Sequence, residues 1–600
     1  MTDKFISIRN LKFLLYEVLG VESLTRYPFF ADHSREVFDL VLDTATKMSR
    51  DLVFPAFAEM DRKPPVFEDG KVKVHPVVGK LMKQFGEGGW IGAHAPYEQG
   101  GQQMPGMVMA AFRSIFAAAN YSAAVYPFLT TGAAHLIASF GSKELIETYV
   151  PKMYAGEWQG TMALTEPQAG SSLTDLTTTA YPTAKGYYQL KGQKIFISCA
   201  DYDCIENVVN LLLARIDGAP PGVKGISLLV APKKRPENGS LVANDITCTT
   251  IYHKLGYKGA PITQLSLGDE NDCRGWLVGE PHKGLRYMFQ MMNEARIDVG
   301  MSAAAIASAA YYAALDYAKE RTQGRKITEK DPAMPQIPII GHADVKRMLL
   351  FQRGIVEGSL SLNLQCAKYA DLVRVLEGEE KEKVELLLDI LTPVAKTYPS
   401  EMGILSVSQG LQCLGGYGYC EEFSLEQYYR DIRIHPIHEG TTGIQGMDLL
   451  GRKVVVKQGK AFMLYLEEVG KAIAGAKATK ELVLPAEVLE ETLEKLKQVT
   501  MHLTGFAMKG EIELFLADAT LYLEMFGIIT IAWQWLIQAI AATKALADHP
   551  PEAEANFYRG KLHTFRYFFA YELPKIEGLT KSLLNPDGLT LRMKEEWFED

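Results

Sequence analysis

Six hundred residues are too many for one hydrophobic core, and a composition of 47% hydrophobic and 22% charged residues excludes a disordered, collagen-like or disulfide-stapled chain. Sixty-three Lys and Arg against 72 Asp and Glu leave a formal charge of −9, with no basic tail to grip nucleic acid, so small-molecule chemistry is expected. The seven cysteines are never spaced as CxxC. They read as reduced thiols in a cytoplasmic protein, with no metal centre.

Residues 1–35 mix Asp3, Lys4, Arg9, Lys12 and Glu17 through their apolar positions, which suits an amphipathic extension of the fold and not a signal peptide. From 36 to 155 the apolar spacing is helical, interrupted by a Gly-rich corner at 96–106. No Asp, Glu, Lys or Arg occurs between Ser114 and Ser142, so these helices form core or wall a pocket for an apolar ligand. From 156 to 280 short β-type runs follow one another (YYQLKGQKIFIS, VVNLLLARI, GISLLVAP, ITQLSLGD) without long helical periods between them. That pattern predicts a small antiparallel barrel or sandwich, not a βαβ nucleotide fold.

Residues 281–455 return to helical spacing. A proline-free run from Gly284 has a centre of small residues at 300–315, and after DPAMPQIP the pattern resumes from His342 to about 398 and again from Glu401, predicting an antiparallel bundle. Residues 456–600 add a further helical domain. Within it Met525–Thr543 carries no charge, yet Gly527, Thr530, Gln534 and Gln538 interrupt it, favouring a buried helix over a membrane span. Peripheral membrane contact through 456–600 stays open as an expectation. The fold class expected is therefore mainly α with a central β domain.

Several familiar motifs fail on inspection. GGYGYC (415–420) has Glu421 where a dinucleotide turn needs its third glycine, and Gly446–Gly451 is followed by Arg452 and Lys453 where a phosphate loop needs Lys and Ser/Thr. HPIHE (435–439) is not HExxH, and Pro436 disfavours the helix that would align both imidazoles on a metal. No GxSxG elbow is present. Three strings remain. TEPQAGSS (165–172) offers neutral donors near Gly170 suited to a flavin edge or a phosphate. GQKIFIS (192–198) sets Phe196 and Ser198 two residues apart, on one face of a strand. YYRDIRIHPIHEGTTGIQG places Glu439 before a Gly-Thr-Thr-Gly turn.

Together these strings resemble the acyl-CoA dehydrogenase family of flavoproteins. TEPQAGSS resembles its TEPxAGSD signature, GQKIFIS its GxKxWITN, LQCLGGYGY (411–419) its QxxGGxGY and IHEGTTGIQ (437–445) its IYEGTxxIQ, in the family's order. The flanks are similar to the longer subfamily that includes 3-methylmercaptopropionyl-CoA dehydrogenase. The resemblance implies an N-terminal α domain, a middle β-barrel, a four-helix bundle and an extra C-terminal helical domain. It also implies FAD-dependent α,β-dehydrogenation of an acyl-CoA to the 2-enoyl-CoA, with Glu439 as the base, the β-hydride passing to flavin N5 and electrons passing to electron-transferring flavoprotein.

By the same resemblance Met162, Leu164, Thr165, Gly170, Ser171, Phe196 and Ser198 contact the flavin. Arg321, Gln412, Gly416 and Thr441 hold its pyrophosphate and adenosine, partly across a subunit boundary, implying a homodimer or homotetramer. Ser171, Arg296 and Gly440 contact the substrate. Some family members carry the base just before the arginine matched by Arg296; here that residue is Ala295, and Glu294 is one position off. The sequence departs from the family at Ser172 (usually Asp), His438 (usually Tyr) and the Arg321 loop, RTQGRK. No arginine lies in the charge-free stretch that lines the acyl end in this family, so an uncharged acyl group is expected. An acyl-CoA oxidase, or a non-catalytic CoA- or flavin-binding scaffold at a membrane, are the alternatives.

Overall fold

A computed structural model describes residues 4–600, leaving the side chains of residues 290 and 291 undescribed. The principal helices before the β region are α1 (Arg35–Met48), α2 (Val77–Glu87), α3 (Gly106–Phe140) and α4 (Lys143–Tyr154). Eight strands of one sheet follow, beside a small hairpin of Lys234–Glu237 and Ser240–Ala243: β1 (Trp158–Ala163), β2 (Thr179–Pro182), β3 (Tyr188–Ser198), β4 (Asn207–Ile216), β5 (Ile226–Pro232), β6 (Ile246–Ile251), β7 (Ile262–Leu267) and β8 (Arg274–Leu277). The remaining principal helices are α5 (Gly284–Glu320), α6 (Ala343–Val375), α7 (Gly378–Leu414), α8 (Leu425–Ile432), α9 (Thr442–Asp448), α10 (Val456–Lys477), α11 (Val483–Met508), α12 (Ala519–Ala547) and α13 (Glu552–Tyr567). The chain forms two compact units. One, the β unit, joins Glu36–Pro105 to Ile115–Ala295; the other, the bundle unit, joins the residues before Glu36 to Gly106–Ser114 and Arg296–Asp600.

In the β unit the strand order is β6-β7-β3-β8-β5-β4-β1, and β2 pairs with both β3 and β4, closing a ring of strands. The expectation of a purely antiparallel sheet is corrected here, because β1 and β2 both run parallel to β4. Residues 207–214 of β4 are buried throughout, the state that parallel neighbours impose on a strand covered on both faces. The run VVNLLLA, apolar but for Asn210, is the sequence trace of that burial. Helix α3 is broken at Asn120, whose backbone leaves the helical region at φ −169° and whose side-chain oxygen accepts from Ala123 N at 3.2 Å, starting the helix again. Gln159 ties β1 to α3, donating from Nε2 to the Tyr126 carbonyl at 2.9 Å.

In the bundle unit, small residues set how closely helices approach. A Cβ on Gly300 of α5 would lie 1.8 Å from the Ala395 carbonyl oxygen of α7. The helix breaks differ from those expected. The chain turns between Val375 and Gly378, where Gly378 takes φ +58°, and α7 then runs unbroken through Pro393 and Pro399. Each proline costs a helix roughly 3 kcal/mol in isolation. Every residue from Ile390 to Ser400 is buried, so packing holds α7 together through both.

The uncharged helix lies within α12. Both α3 and α12 have the length and apolarity to cross a membrane, and 83% of the most apolar window of α12 is buried inside the protein. Its polar interruptions find protein partners. Ser361 Oγ donates to Gln534 Oε1 at 2.7 Å, Lys561 Nζ to Gln538 Oε1 at 3.0 Å, and the Thr530 and Tyr465 hydroxyls lie 3.0 Å apart. Lys561, fully buried, also donates to Asn10 Oδ1 and to Glu357 Oε2 at 2.9 Å, while Arg353 Nε donates to Glu357 Oε1 at 3.0 Å. The N-terminal extension is thus fastened to α6, α12 and α13 by one buried ammonium. Lys561→Met strips Glu357 and Asn10 of a shared donor and is expected to lower stability by about 3 kcal/mol, read as a lower urea midpoint at unchanged slope.

Candidate active site

The candidate base lies in the bundle unit, in the segment between α8 and α9. Glu439 is half-buried and holds φ +53°, a left-handed conformation that costs a non-glycine residue about 1 kcal/mol or more. Gly440 follows at φ +93°, and a Cβ there would lie 2.5 Å from Gln445 Nε2, so only glycine fits. Thr441 caps α9, its hydroxyl accepting from Ile444 N at 3.4 Å. Gln445 of α9 donates to the Glu439 carbonyl at 3.2 Å and, less closely, to that of Gly440 at 3.5 Å. Lys396 of α7, fully buried, donates from Nζ to the Gly440 carbonyl at 2.8 Å. Among the described residues the N–H groups of Glu439 and Gly440 have no backbone acceptor.

The charges around this turn oppose one another, with both cations buried. Burial raises the Glu439 pKa, and the cations Arg296 and Lys396 pull it back. Burial pushes the Lys396 ammonium down to about 8, against the attraction of Glu439 and Glu401. Arg296 is 2% exposed and paired with Asp448 at 3.0 Å, and Arg452 donates to the other oxygen of Asp448 at 2.7 Å. The His435 imidazole is held down to about 3 and that of His438 well below its ordinary value, chiefly by burial, so both are neutral near pH 7. His438 Nε2 is buried without a hydrogen-bond partner.

In the β unit a second cluster explains why TEPQAGSS and GQKIFIS belong together. Glu166 and Lys194, each fully buried, form an ion pair at 2.8 Å. Glu166 also accepts from Thr177 N at 2.7 Å and Thr178 N at 3.1 Å, and Lys194 donates to the carbonyls of Leu164 at 3.2 Å and Leu213 at 2.7 Å. The Thr165 carbonyl accepts from Ile195 N at 2.9 Å. The pairing register of β3 with β7 shifts between Lys194 and Ile197, and Phe196 within that bulge takes φ +58°. Its ring is 58% exposed, 4.7 Å from that of Tyr252. Past the bulge Ile197 points into the core while Ser198 is half-buried, its carbonyl accepting from Thr161 Oγ1 at 2.6 Å. Met162, Leu164 and Thr165 are half-buried, and Gly170 and Ser171 are exposed. Ser172 donates to Asp175, which places a carboxylate beside the position where the family signature carries Asp.

Arg321, Gln412 and Gly416 are exposed residues of the bundle unit, on the segment after α5 and at the end of α7. No hydrogen bond or ion pair joins them to the Glu439 turn among the described residues. Arg296, expected at CoA, pairs through Nη1 with Asp448, and its buried Nε has no partner among the described residues. Glu294 Oε2 accepts from His135 Nδ1 at 3.0 Å within the β unit. The residues missed from sequence are Lys396, Gln445, Asp448, Glu166 and Lys194. A lysine inside the apolar run of α7 was the one available signal for the first. Within the β unit, the exposed Gly170 and Ser171 and the open face of Phe196 suit the edge and face of a flat conjugated ring. Within the bundle unit, Gly415 and Gly416 have open Cβ positions, so a ligand can approach their backbone closely.

Family models match the chain in order: acyl-CoA dehydrogenase N-terminal domain over 37–157, middle domain over 161–269, C-terminal domain over 282–454, and acetyl-CoA dehydrogenase C-terminal like over 465–594. The chain belongs to the acyl-CoA dehydrogenase family. It is 34% identical to a butyryl-CoA dehydrogenase of Syntrophomonas wolfei over 98% of both chains. It is 35% identical to 3-methylmercaptopropionyl-CoA dehydrogenase of Ruegeria pomeroyi over 86% of this chain and 87% of that one. It is 31% identical to the broad-specificity linear acyl-CoA dehydrogenase FadE5 of Mycobacterium tuberculosis over 99% of both. Two solved structures share the fold: Caenorhabditis elegans ACDH-11 in complex with C11-CoA (20% identity, TM-score 0.75, 98% of this chain and 96% of that one) and a Bacillus anthracis acyl-CoA dehydrogenase complexed with FAD (22%, 0.72, 94% and 91%).

Removing one member of the Glu166–Lys194 pair leaves the other charge buried, so Glu166→Gln and Lys194→Met are each expected to lower stability by about 3–5 kcal/mol in urea titrations. The Lys194 ammonium and the threonine amides hold the Glu166 carboxyl down to about 2. Its stabilisation is therefore complete above its unfolded pKa of about 4.3 and lost as the pH falls toward 2, and Glu166→Gln flattens the acid slope of stability in that window.

Proposed function

We propose that this chain is an FAD-dependent acyl-CoA dehydrogenase in which Glu439 removes the α-proton of an acyl-CoA thioester, giving the 2-enoyl-CoA. The observation that carries this is the left-handed Glu439–Gly440 turn: a carboxylate of raised pKa beside two backbone N–H groups that no backbone acceptor takes among the described residues. An α-proton is weakly acidic. Its removal needs a base and hydrogen bonds to the thioester carbonyl that strengthen as negative charge develops there. The Glu439 N–H is suited to that second task, while burial of the carboxyl makes it a stronger proton acceptor once substrate excludes water. Bound FAD supplies the two-electron acceptor for the β-hydride.

Thr165, Ser198, Phe196 and the backbone from Met162 to Ser171 are proposed to hold the flavin ring. Arg321, Gln412, Gly416 and Thr441 are proposed for its pyrophosphate and adenosine ends in a homodimer or homotetramer, and Ser171, Arg296 and Gly440 for CoA. The charge-free stretch from 115 to 141 supports an uncharged acyl group, as do the butyryl, 3-methylmercaptopropionyl and linear acyl groups in the names of the relatives. Electron-transferring flavoprotein is the proposed acceptor.

Anaerobic bleaching of the flavin absorbance by a panel of acyl-CoAs tests the proposal. Glu439→Gln is expected to slow bleaching by about 10²-fold or more, and rapid bleaching by that variant would show that the base lies elsewhere. Since the base must be ionised, the wild-type rate rises with pH through the raised pKa of Glu439. Glutaryl-CoA should reduce the flavin less well than apolar acyl-CoAs of similar size; the reverse order refutes an uncharged acyl pocket. Oxygen uptake with substrate alone, at the rate seen with electron-transferring flavoprotein, would make the protein an oxidase.

A further inference from the structure

We propose that Lys396 is a positioning residue for proton removal: by donating to the Gly440 carbonyl it holds the base turn in the left-handed conformation from which Glu439 acts. The proposal rests on Glu439 being the base. Left-handed backbone at a glutamate persists only when its surroundings over-determine it. Here the carbonyls of both turn residues are claimed by side chains, Glu439 by Gln445 at 3.2 Å and Gly440 by Lys396 at 2.8 Å. The second contact of Gln445, to Gly440 at 3.5 Å, is too long to replace Lys396. Without the ammonium the Gly440 carbonyl loses its one close donor among the described residues, and the turn is held at the Glu439 carbonyl alone.

A neutral donor would satisfy the carbonyl, so the charge of Lys396 requires its own explanation. The charged groups acting on it are Glu439 on the base turn, Glu401 one turn further along α7 and Arg296 of α5. His435 and His438, from the segment between α8 and α9, feel its charge but are neutral themselves. Glu401 accepts from Thr442, and Arg296 is paired with Asp448. Among the described residues no hydrogen bond reaches the Glu439 carboxylate, and the Arg296 and Lys396 cations are what favour its ionised form. Lys396 therefore sets both the direction of the carboxylate and how readily it stays deprotonated.

Proton removal can be read apart from electron transfer. The FAD-loaded enzyme is given an acyl-CoA whose β-carbon is replaced by sulfur, which has no β-hydride to lose, and exchange of its α-protons into deuterium oxide is followed by NMR across pH. Glu439→Gln is expected to exchange at background; if it exchanges normally, the base assignment fails whatever Lys396 does. Lys396→Met is expected to slow exchange by about tenfold or more, and to move the rising limb of the pH profile to higher pH, because a cation favouring the carboxylate is gone. Lys396→Gln restores a donor without charge. It is expected to recover the plateau rate while keeping the displaced limb, a split that a merely structural lysine would not produce. Flavin absorbance and thermal midpoint report whether each variant is folded, and if the Met variant is not, the limb of the Gln variant decides. Exchange within about twofold of wild type with an undisplaced limb in the folded variants, beside a silent Glu439→Gln, overturns the role of Lys396 and leaves Glu439 standing.

Discussion

Glu439 occupies left-handed backbone beside a glycine that tolerates no Cβ, and a carboxylate held this way has to remain dry enough to be basic yet charged enough to act. The surrounding structure answers both demands. Burial supplies the basicity, while Lys396 on α7 and Arg296 on α5 limit how far the carboxyl is driven toward its neutral form. The same turn fixes the peptide groups. Its carbonyls face Gln445 and Lys396, and among the described residues the N–H groups of Glu439 and Gly440 have no backbone acceptors. A base and a pair of donors thus come from one strained dipeptide, and the helices around it serve to keep it strained.

The β unit solves a related problem with different chemistry. Phe196 also sits in left-handed backbone, inside a bulge of β3, and its ring stays largely exposed. Two residues before it on β3 lies the buried Glu166–Lys194 pair. It ties β3 to the turn after β1 and also fills the carbonyls of Leu164 and Leu213. The Glu of TEPQAGSS and the Lys of GQKIFIS are therefore partners in one buried ion pair, although 27 residues of chain lie between them. What reads along the sequence as two flavin motifs is a single electrostatic joint in space.

Sequence pattern reaches far into this molecule where the signal is local. Helical spacing before 155 and after 284, β-type runs between, and a base in front of Gly440 are all visible in the residues themselves. Parallel pairing of β1 and β2 with β4 is not, because register between strands leaves only an unbroken apolar run as its trace. The continuity of α7 through Pro393 and Pro399 is equally hidden, since it depends on burial from Ile390 to Ser400 by other helices. Lys396 and Asp448 escape for a third reason. Their importance comes from groups 44 and 152 residues away in the chain, Gly440 and Arg296, and no spacing rule connects such positions.

The extra C-terminal length takes on a structural meaning in this light. Helix α12, uncharged over most of its length, packs against the helices that hold the base turn. A Cβ on Gly527 would lie 2.8 Å from the ring of Tyr398, two residues beyond Lys396 on α7. On the other side, a Cβ on Gly446, next to Gln445 on α9, would lie 2.8 Å from the Ala519 carbonyl oxygen at the start of α12. Both donors to the turn thus stand on helices braced by the same C-terminal element. Its apolarity follows from that position: the stretch from Met525 to Thr543, enclosed between α6, α7 and α10, carries no charge, and the Thr530 hydroxyl and the amide oxygens of Gln534 and Gln538 are met by Tyr465, Ser361 and Lys561.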